Sequence, residues 1–415
     1  MNTHKSIVAS GAAASAAEGR VRESRAAYFP QVNYAESWTR SNNPVFVFSS
    51  LLTQHQFGEQ NFQIGPLNHP DFLNNFQSVV TADQVLYNGG QARQAVRAAT
   101  LTKEIADQNG RGVSMQVIRA VVHAYYGALL GAEQLQVAEQ AVRSAEADLQ
   151  RAESARAAGI STDSDVLSIR VHLAGTREQE IRKTADLEVA RAALNDAIGL
   201  PLDTAHVLTT ELTPLAIPGA VRAEYEARAV QERPEARITK LSTSLAENGI
   251  ASARSNFLPQ VTLRGAVEAD RQRFYDQGGA NWLVSVGVRW NLFTGFGDKA
   301  RSSVAASELR RTTAQEQQAD SAIRLEVRRA FASLDAARQR IEVARASVAE
   351  AEESLRIIQN RYAAGMNNVT DLLRTETALL EARTRQLAAV HDQRIAAAEL
   401  EMAAGTLTAD SEVLK

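Results

Sequence analysis

Two acidic residues stand at corresponding places in this chain. Asp165 and Asp371 each follow a glycine by six positions, Gly159 in "RAAGISTDSDVL" and Gly365 in "RYAAGMNNVTDLL". Gly is favoured just past a helix end because it accepts left-handed backbone angles. Ser164 and Thr370 are then placed to cap the helices that follow, with each Asp in a first turn whose dipole favours negative charge. Other chemistry is sparse. His4, His55, His69, His123, His172, His206 and His391 form no HExxH motif and no i,i+4 pair, and no phosphate-binding glycine loop occurs. Cysteine is absent, which excludes disulfides, thiolate metal sites and a cysteine nucleophile. Tyr125 and Phe331 occupy equivalent places but read as helix-seam packing. No catalytic, cofactor-binding or metal-binding residue is assigned.

The glycine–aspartate elements are part of a longer duplication. An offset of 206 relates "LYNGG" (Leu86–Gly90) to "LFTGF" (Leu292–Phe296), and Gly199 to Gly405. Upstream, "AEGRVRESRAAYFPQV" matches "AENGIASARSNFLPQV" at an offset of 229, so the 23 extra residues lie in one loop between Pro30 and Leu86. Such self-similarity marks a repeated structural unit. It also reads residues 17–27 as mature helix instead of a leader, with the front of the chain cut short.

Within each repeat the apolar period is seven. Val327, Leu334, Ile341, Val348 and Leu355 form one seam in the second half, with Ala330, Ala337, Ala344 and Ala351 three positions on. Val121, Ala128, Leu135, Val142 and Leu149 repeat it in the first. Alternating large and small seam residues predict closely packed coiled-coil helices. The segment 298–364 spans about 100 Å as helix, while 369–404 and 222–256 each span about half of that. The expectation is a helical tower with two short helices stacked beside each long one.

At one end the period becomes two. "NWLVSVGVRWNLF" puts Trp282, Val284, Val286, Val288 and Trp290 on one face and Ser285, Gly287, Arg289 and Asn291 on the other. Strict alternation fits a half-buried strand. Trp282 and Trp290 are about 26 Å apart along a strand, close to the roughly 25 Å apolar band of an outer-membrane barrel, with Phe293 just beyond. Four strands cannot close a barrel, whose minimum is about eight, so several chains must combine. The Ser41–Asn75 segment reads as a loop carrying Phe46, Phe48, Leu51, Leu52 and Phe57 over the outer mouth. No run of 18 apolar residues exists for a membrane helix, and a net charge of −3 leaves no nucleic-acid footprint.

The duplicated plan, "RPE" at Arg233–Glu235, the "L(Y/F)xG" strand exits and "RYAAGMNNVTDLLRTETALLEAR" together resemble the TolC-like outer-membrane efflux proteins. The fold implied is mostly α with a small β part, with four strands per chain in a shared trimeric 12-stranded barrel. Residues 1–206 form the first repeat, with strands about 30–40 and 76–87, a long helix about 91–158 and a return helix about 164–198. An equatorial connection, 207–221, follows. The second repeat, 222–415, has a helix at 222–256, strands about 259–272 and 281–293, a long helix at 298–364 and a return helix at 369–404. The resemblance implies an outer-membrane conduit of a tripartite efflux or type I secretion system, with its helical part in the periplasm. The partners implied are two further copies of the chain, a periplasmic adaptor, an inner-membrane pump and outer-membrane lipid. Docking falls on Ala158, Gly159, Ala364 and Gly365, and membrane-interface aromatics on Trp282, Trp290 and Phe293. The periplasmic gate falls on Asp371, Arg374, Asp165, Tyr362 and Asn367, with an Asp165–Tyr362 bond and an Asp371–Arg374 pair expected. The chain lacks a visible signal sequence, and without Cys it does not resemble the lipid-anchored branch. A soluble periplasmic coiled-coil scaffold is the rival reading; it accounts for the heptads and not for the aromatic-edged strands.

Overall fold

The computed structural model describes residues 4–216 and 221–411. Residues 217–220, in the expected equatorial connection, lie outside them. Most of the chain is helical, with one four-stranded antiparallel sheet, and the Cα trace separates into two compact units.

One unit, Ser15–Glu104 with Leu241–Thr313, carries the sheet. Its strands are β1 (Gln31–Ser41), β2 (Leu73–Asn88), β3 (Gln260–Arg271) and β4 (Gly279–Arg289), in that spatial order. Residues opposite one another in an antiparallel ladder share a face. Tyr34, Val80, Val267 and Trp282 therefore form one cross-strand row, and Val32, Ala82, Gly265 and Val284 the next. The other face holds rows such as Gln31, Asp83, Arg264 and Ser285. A register shift between Val85 and Tyr87 brings Tyr87 opposite Val261. The sheet is thus apolar on one face and polar on the other, with free outer edges on β1 and β4.

The Ser41–Asn75 segment departs from the expected loop. It contains two short helices, α2 (Pro44–Thr53) and α3 (Ile64–Asn68). Asn43 caps α2 by accepting from the amides of Val45 and Phe46, and Pro44 pre-sets the first turn. Phe57 packs edge-on against Phe48 and Phe62, with centroids 4.7 and 5.1 Å away. Gln54 Nε2 donates to Asn75 Oδ1 at 2.8 Å, Asn75 Nδ2 donates to Asp270 Oδ1 at 2.6 Å, and Asn281 Nδ2 reaches the Thr53 carbonyl at 3.1 Å. Buried amides in this chain fasten α2 to the end of the sheet.

The second unit (Met1–Ala14, Ile105–Lys240 and Ala314–Lys415) is helical. α1 (Lys5–Arg25) starts in it. Two 67-residue helices, α4 (Gln91–Ala157) and α8 (Gly297–Ala363), are each followed by a 36-residue return helix, α5 (Asp163–Ile198) and α9 (Val369–Ala404). Val327, Leu334 and Ile341 of the seam are buried, and so are Ala128, Ala138, Val142 and Ala145. The duplication extends to ion pairs. Arg177 meets Glu146 and Arg383 meets Glu352, both at 2.7 Å and both 206 positions apart.

The helix expected over 222–256 is two helices, α6 (Arg222–Glu232) and α7 (Pro234–Ser255). Pro234 forces the residue before it out of the α region, and Arg233 is extended at φ −62°, ψ 134°. Arg233 is buried and ion-paired with Glu326 at 2.5 Å and Glu235 at 3.2 Å. Gly405, which ends α9 at φ 77°, lies against this break; a Cβ there would sit 2.8 Å from the Arg233 nitrogen. Both the left-handed angle and the contact call for glycine.

The connecting segment is strapped to α9. Leu215 donates its amide to Gln393 Oε1 at 2.9 Å, and Gln393 Nε2 returns a bond to the Leu215 carbonyl at 3.1 Å. The buried Arg394 guanidinium holds the Thr213 carbonyl at 3.0 Å and lies beside the Tyr126 ring. Replacing Gln393 with Ala leaves the Leu215 amide and carbonyl without their side-chain partner, at a cost of about 1–3 kcal/mol. Hydrogen exchange at Leu215 should accelerate at least tenfold in Gln393→Ala. An unchanged rate would show that the strap is held elsewhere.

Candidate functional site at the helical turns

Each return helix begins with a side-chain cap. Gly159 (φ 76°) and Gly365 (φ 72°) end the preceding helices in left-handed conformation, which places Ala158, Ala364, Ile160 and Met366 at exposed tips. The caps are Thr162 and Asn368, two residues earlier than Ser164 and Thr370. The chain turns sharply enough that each helix starts sooner than the sequence suggested. Thr162 Oγ1 accepts from the Asp165 amide at 3.2 Å, and Asn368 Oδ1 accepts from the Asp371 amide at 2.9 Å. Asp165 Oδ2 returns the favour by accepting from the Thr162 amide at 3.1 Å, which completes a capping box. That backbone bond, with the Thr162 and Ser161 hydroxyls, holds the Asp165 carboxyl below its ordinary pKa of 3.8. Its contribution to the turn is present above that value and lost as pH falls through the folded one.

The expected gate residues form two groups. Tyr362 on α8 lies near Ser161 and Asp165, and Ser161 Oγ donates to Asp165 Oδ2 at 3.2 Å. Among the described residues no direct bond joins Tyr362 to Asp165, whose carboxylate is taken by Ser161 and Thr162. Burial, with the nearby Asp165 and Asp148 carboxylates, pushes the Tyr362 phenol up. In the second group Asn367 Nδ2 donates to Asp371 Oδ2 at 3.0 Å. Arg374 is exposed and forms no ion pair with Asp371 among the described residues. The Asn367–Asp371 bond is the repeat equivalent of Ser161–Asp165. The amide occupies the carboxylate that the arginine was expected to take.

Inside the turns, Ala152, Val166, Ile169 and Val369 form a buried cluster with Tyr362 packed against it. Next to it lies a polar group missed in the sequence, comprising Asp148 and Arg151 of α4, His172 of α5 and Glu376 of α9. A signal for it was present. The repeat equivalent of Glu376 is Arg170, which is exposed and pairs with Glu153 at 2.6 Å. An acid where the other repeat carries a base marks a place where the duplicated packing diverges.

The second candidate surface is the apolar face of the sheet. Trp282 is 79% exposed and Trp290 58%, and Val284, Val286 and Val288 between them are exposed as well. Trp38, Phe76 and Phe274 gather near the Trp282 end, with centroid separations of 6.3 and 6.1 Å. Tyr87, Trp290 and Phe293 mark the other, where Trp290 Nε1 donates to the Phe257 carbonyl at 3.0 Å. Two aromatic edges around an apolar band form the surface that a bilayer covers. No helix among the described residues is long and apolar enough to cross a membrane.

Comparison with known proteins accords with this geometry. The family described as outer membrane efflux protein matches residues 2–200 and 227–406. Protein CyaE of Bordetella pertussis is 29% identical over 345 residues, covering 81% of this chain and 72% of its own. The alkaline protease secretion protein AprF of Pseudomonas aeruginosa is 26% identical over 406 residues, covering 94% and 79%. The crystal structure of the outer membrane protein VceC from Vibrio cholerae shares the fold at a TM-score of 0.80 and 17% identity, over 97% of this chain and 93% of that one. The family match across both repeats sets aside the scaffold reading, and the chain belongs to the outer membrane efflux protein family, whose members are transport conduits and not enzymes.

Proposed function

We propose that this outer-membrane protein works as a homotrimer, each chain giving four strands to a twelve-stranded barrel and its helical hairpins to a tunnel in the periplasm. The observation that carries this reading is the sheet itself, an apolar outer face on four strands with both edges free. In lipid every backbone donor and acceptor must be paired, so an open edge has to meet another chain. Three copies supply twelve strands, and the strand lengths of 11 to 16 residues suffice for a tilted crossing.

Cargo enters the tunnel from a periplasmic adaptor and an inner-membrane pump. The exposed tips at Ala158–Gly159 and Ala364–Gly365 are the surfaces offered to the adaptor, since small side chains let another helical hairpin approach closely. Asp371, Asp165, Tyr362, Asn367 and Arg374 gather at the entrance, where three copies of Asp371 make an acidic ring that favours cations. Arg374, which makes no ion pair with Asp371 among the described residues, leaves that ring unmasked. The relative named for alkaline protease secretion supports type I secretion as one mode; small-molecule efflux is the other.

The detergent-solubilised chain should have the mass of three copies plus micelle, and a monomer with intact strands would overturn the assembly. In planar bilayers Asp371→Ala should lower cation preference; an unchanged preference removes Asp371 from the entrance. Gly365→Trp should abolish transport while trimer and membrane insertion persist, and normal transport in that variant would take the tips out of the docking surface.

A further inference from the structure

We propose that Asp148 and Glu376 share one buried proton and act as a pH-sensitive clasp between α4 and α9, close to the helical turns. Asp148 is 3% exposed and the Glu376 side chain 9%. Asp148 Oδ1 takes the Arg151 guanidinium, while Asp148 Oδ2 and Glu376 Oε1 are both buried without a donor. Ser144, one turn before Asp148 on α4, lines the same small cavity as His172 and Glu376, which puts the two orphaned carboxyl groups in one cluster, and the nearby Asp148 raises the Glu376 carboxyl. Carboxylate oxygens only accept, so two of them can be joined only when one carries a proton. Two like charges clustered out of water repel strongly, and a shared proton removes the repulsion and satisfies both orphaned oxygens.

The groups around the pair settle which acid holds the proton. Arg151, the one lysine or arginine that contacts the pair among the described residues, is bonded to Asp148. His172 Nε2 lies 3.5 Å from Glu376 Oε2, but burial pushes its pKa below the ordinary 6.5, so it faces Glu376 as a neutral ring. Arg383 lines the same small cavity from α9 and is paired with Glu352 at 2.7 Å. Tyr362, on α8, adds only a neutral phenol. Among the described residues no lysine or arginine bonds to Glu376, and burial, followed by the nearby Asp148, outweighs the pull of Arg151 and pushes its carboxyl up to about 9. Arg151 bonds Asp148, and Glu376 keeps the proton at neutral pH.

The sign of the pH dependence follows. A carboxyl whose folded pKa is raised gives stability that is complete below its ordinary 4.5 and is lost as pH rises toward about 9. His172 acts oppositely and only below its ordinary 6.5, so the window from about 7 to about 9 isolates the clasp. Across it the folding constant should drop up to about tenfold per pH unit.

The test uses the detergent-solubilised full chain, and it is independent of the transport reading. Infrared spectra should show a carboxylic-acid carbonyl band at neutral pH that disappears with a midpoint near 9 and is missing from Glu376→Gln, whose amide still donates to Asp148. The melting temperature should fall from about pH 7 to about pH 9 in the natural chain and stay level in Glu376→Gln. Asp148→Asn should move the midpoint of the band downward. A natural chain with no such band at neutral pH would overturn the proposal, whatever the variants do. So would equal melting slopes in the natural chain and Glu376→Gln, or a band in Asp148→Asn whose midpoint has not moved.

Discussion

The pairing of backbone amides and carbonyls at the rim of the sheet governs the rest of this molecule. Within one chain, β1 and β4 each present an unpaired edge, and the sheet between them is apolar on the outside. In water such an edge invites uncontrolled association, and in hydrocarbon each unpaired group costs several kcal/mol. Pairing these edges removes that cost in either solvent. Apolar residues of the hairpin helices also face outward in one chain: Val171 and Val189 of α5 and Val304 and Val343 of α8 are all exposed. In the proposed trimer, both the sheet and the helices turn these surfaces toward neighbouring copies.

The duplication adds economy of a particular kind. Two hairpins made from one plan have matching lengths, matching left-handed glycines and matching ion pairs, so they can stand side by side without a length mismatch. Where the halves differ, the difference has a local use. Asn367 takes the place of Ser161 and changes a hydroxyl contact into an amide one. Glu376 takes the place of Arg170 and turns a solvated ion pair into a buried acid. The Arg233–Pro234 break belongs to the second half and gives Gly405 a backbone to rest against.

Much of this was legible because it repeats. The period of seven put Val327, Leu334 and Ile341 in the core, and the period of two separated the faces of β4 from Trp282 to Val288. Periodicity reports which side of an element meets its neighbours, and it does so over many residues at once. Single contacts escaped it. Both caps lie two residues before the expected ones, since Ser, Thr and Asn are all competent there and only the turn geometry chooses among them. The helices within 41–75 were hidden by Asn, Pro and Gly, which here serve as a cap, a first-turn residue and connections. Asp148, His172 and Glu376 are far apart in sequence and meet only when α4, α5 and α9 converge.

The middle seam of the sheet has a kinetic consequence. β1 pairs with β2, and β3 with β4, between segments of the same repeat, whereas β2 and β3 come from different repeats; the Asn75–Asp270 bond across this seam spans 195 residues. Bringing such distant segments together is slow, because a large loop must close before any bond rewards it. The two strand pairs can form early and separately, and the union of β2 with β3 waits for the whole of the first hairpin to be in hand. Until then the chain carries four open strand edges instead of two. The interval between synthesis and this union is the period in which those edges are most open to premature self-association.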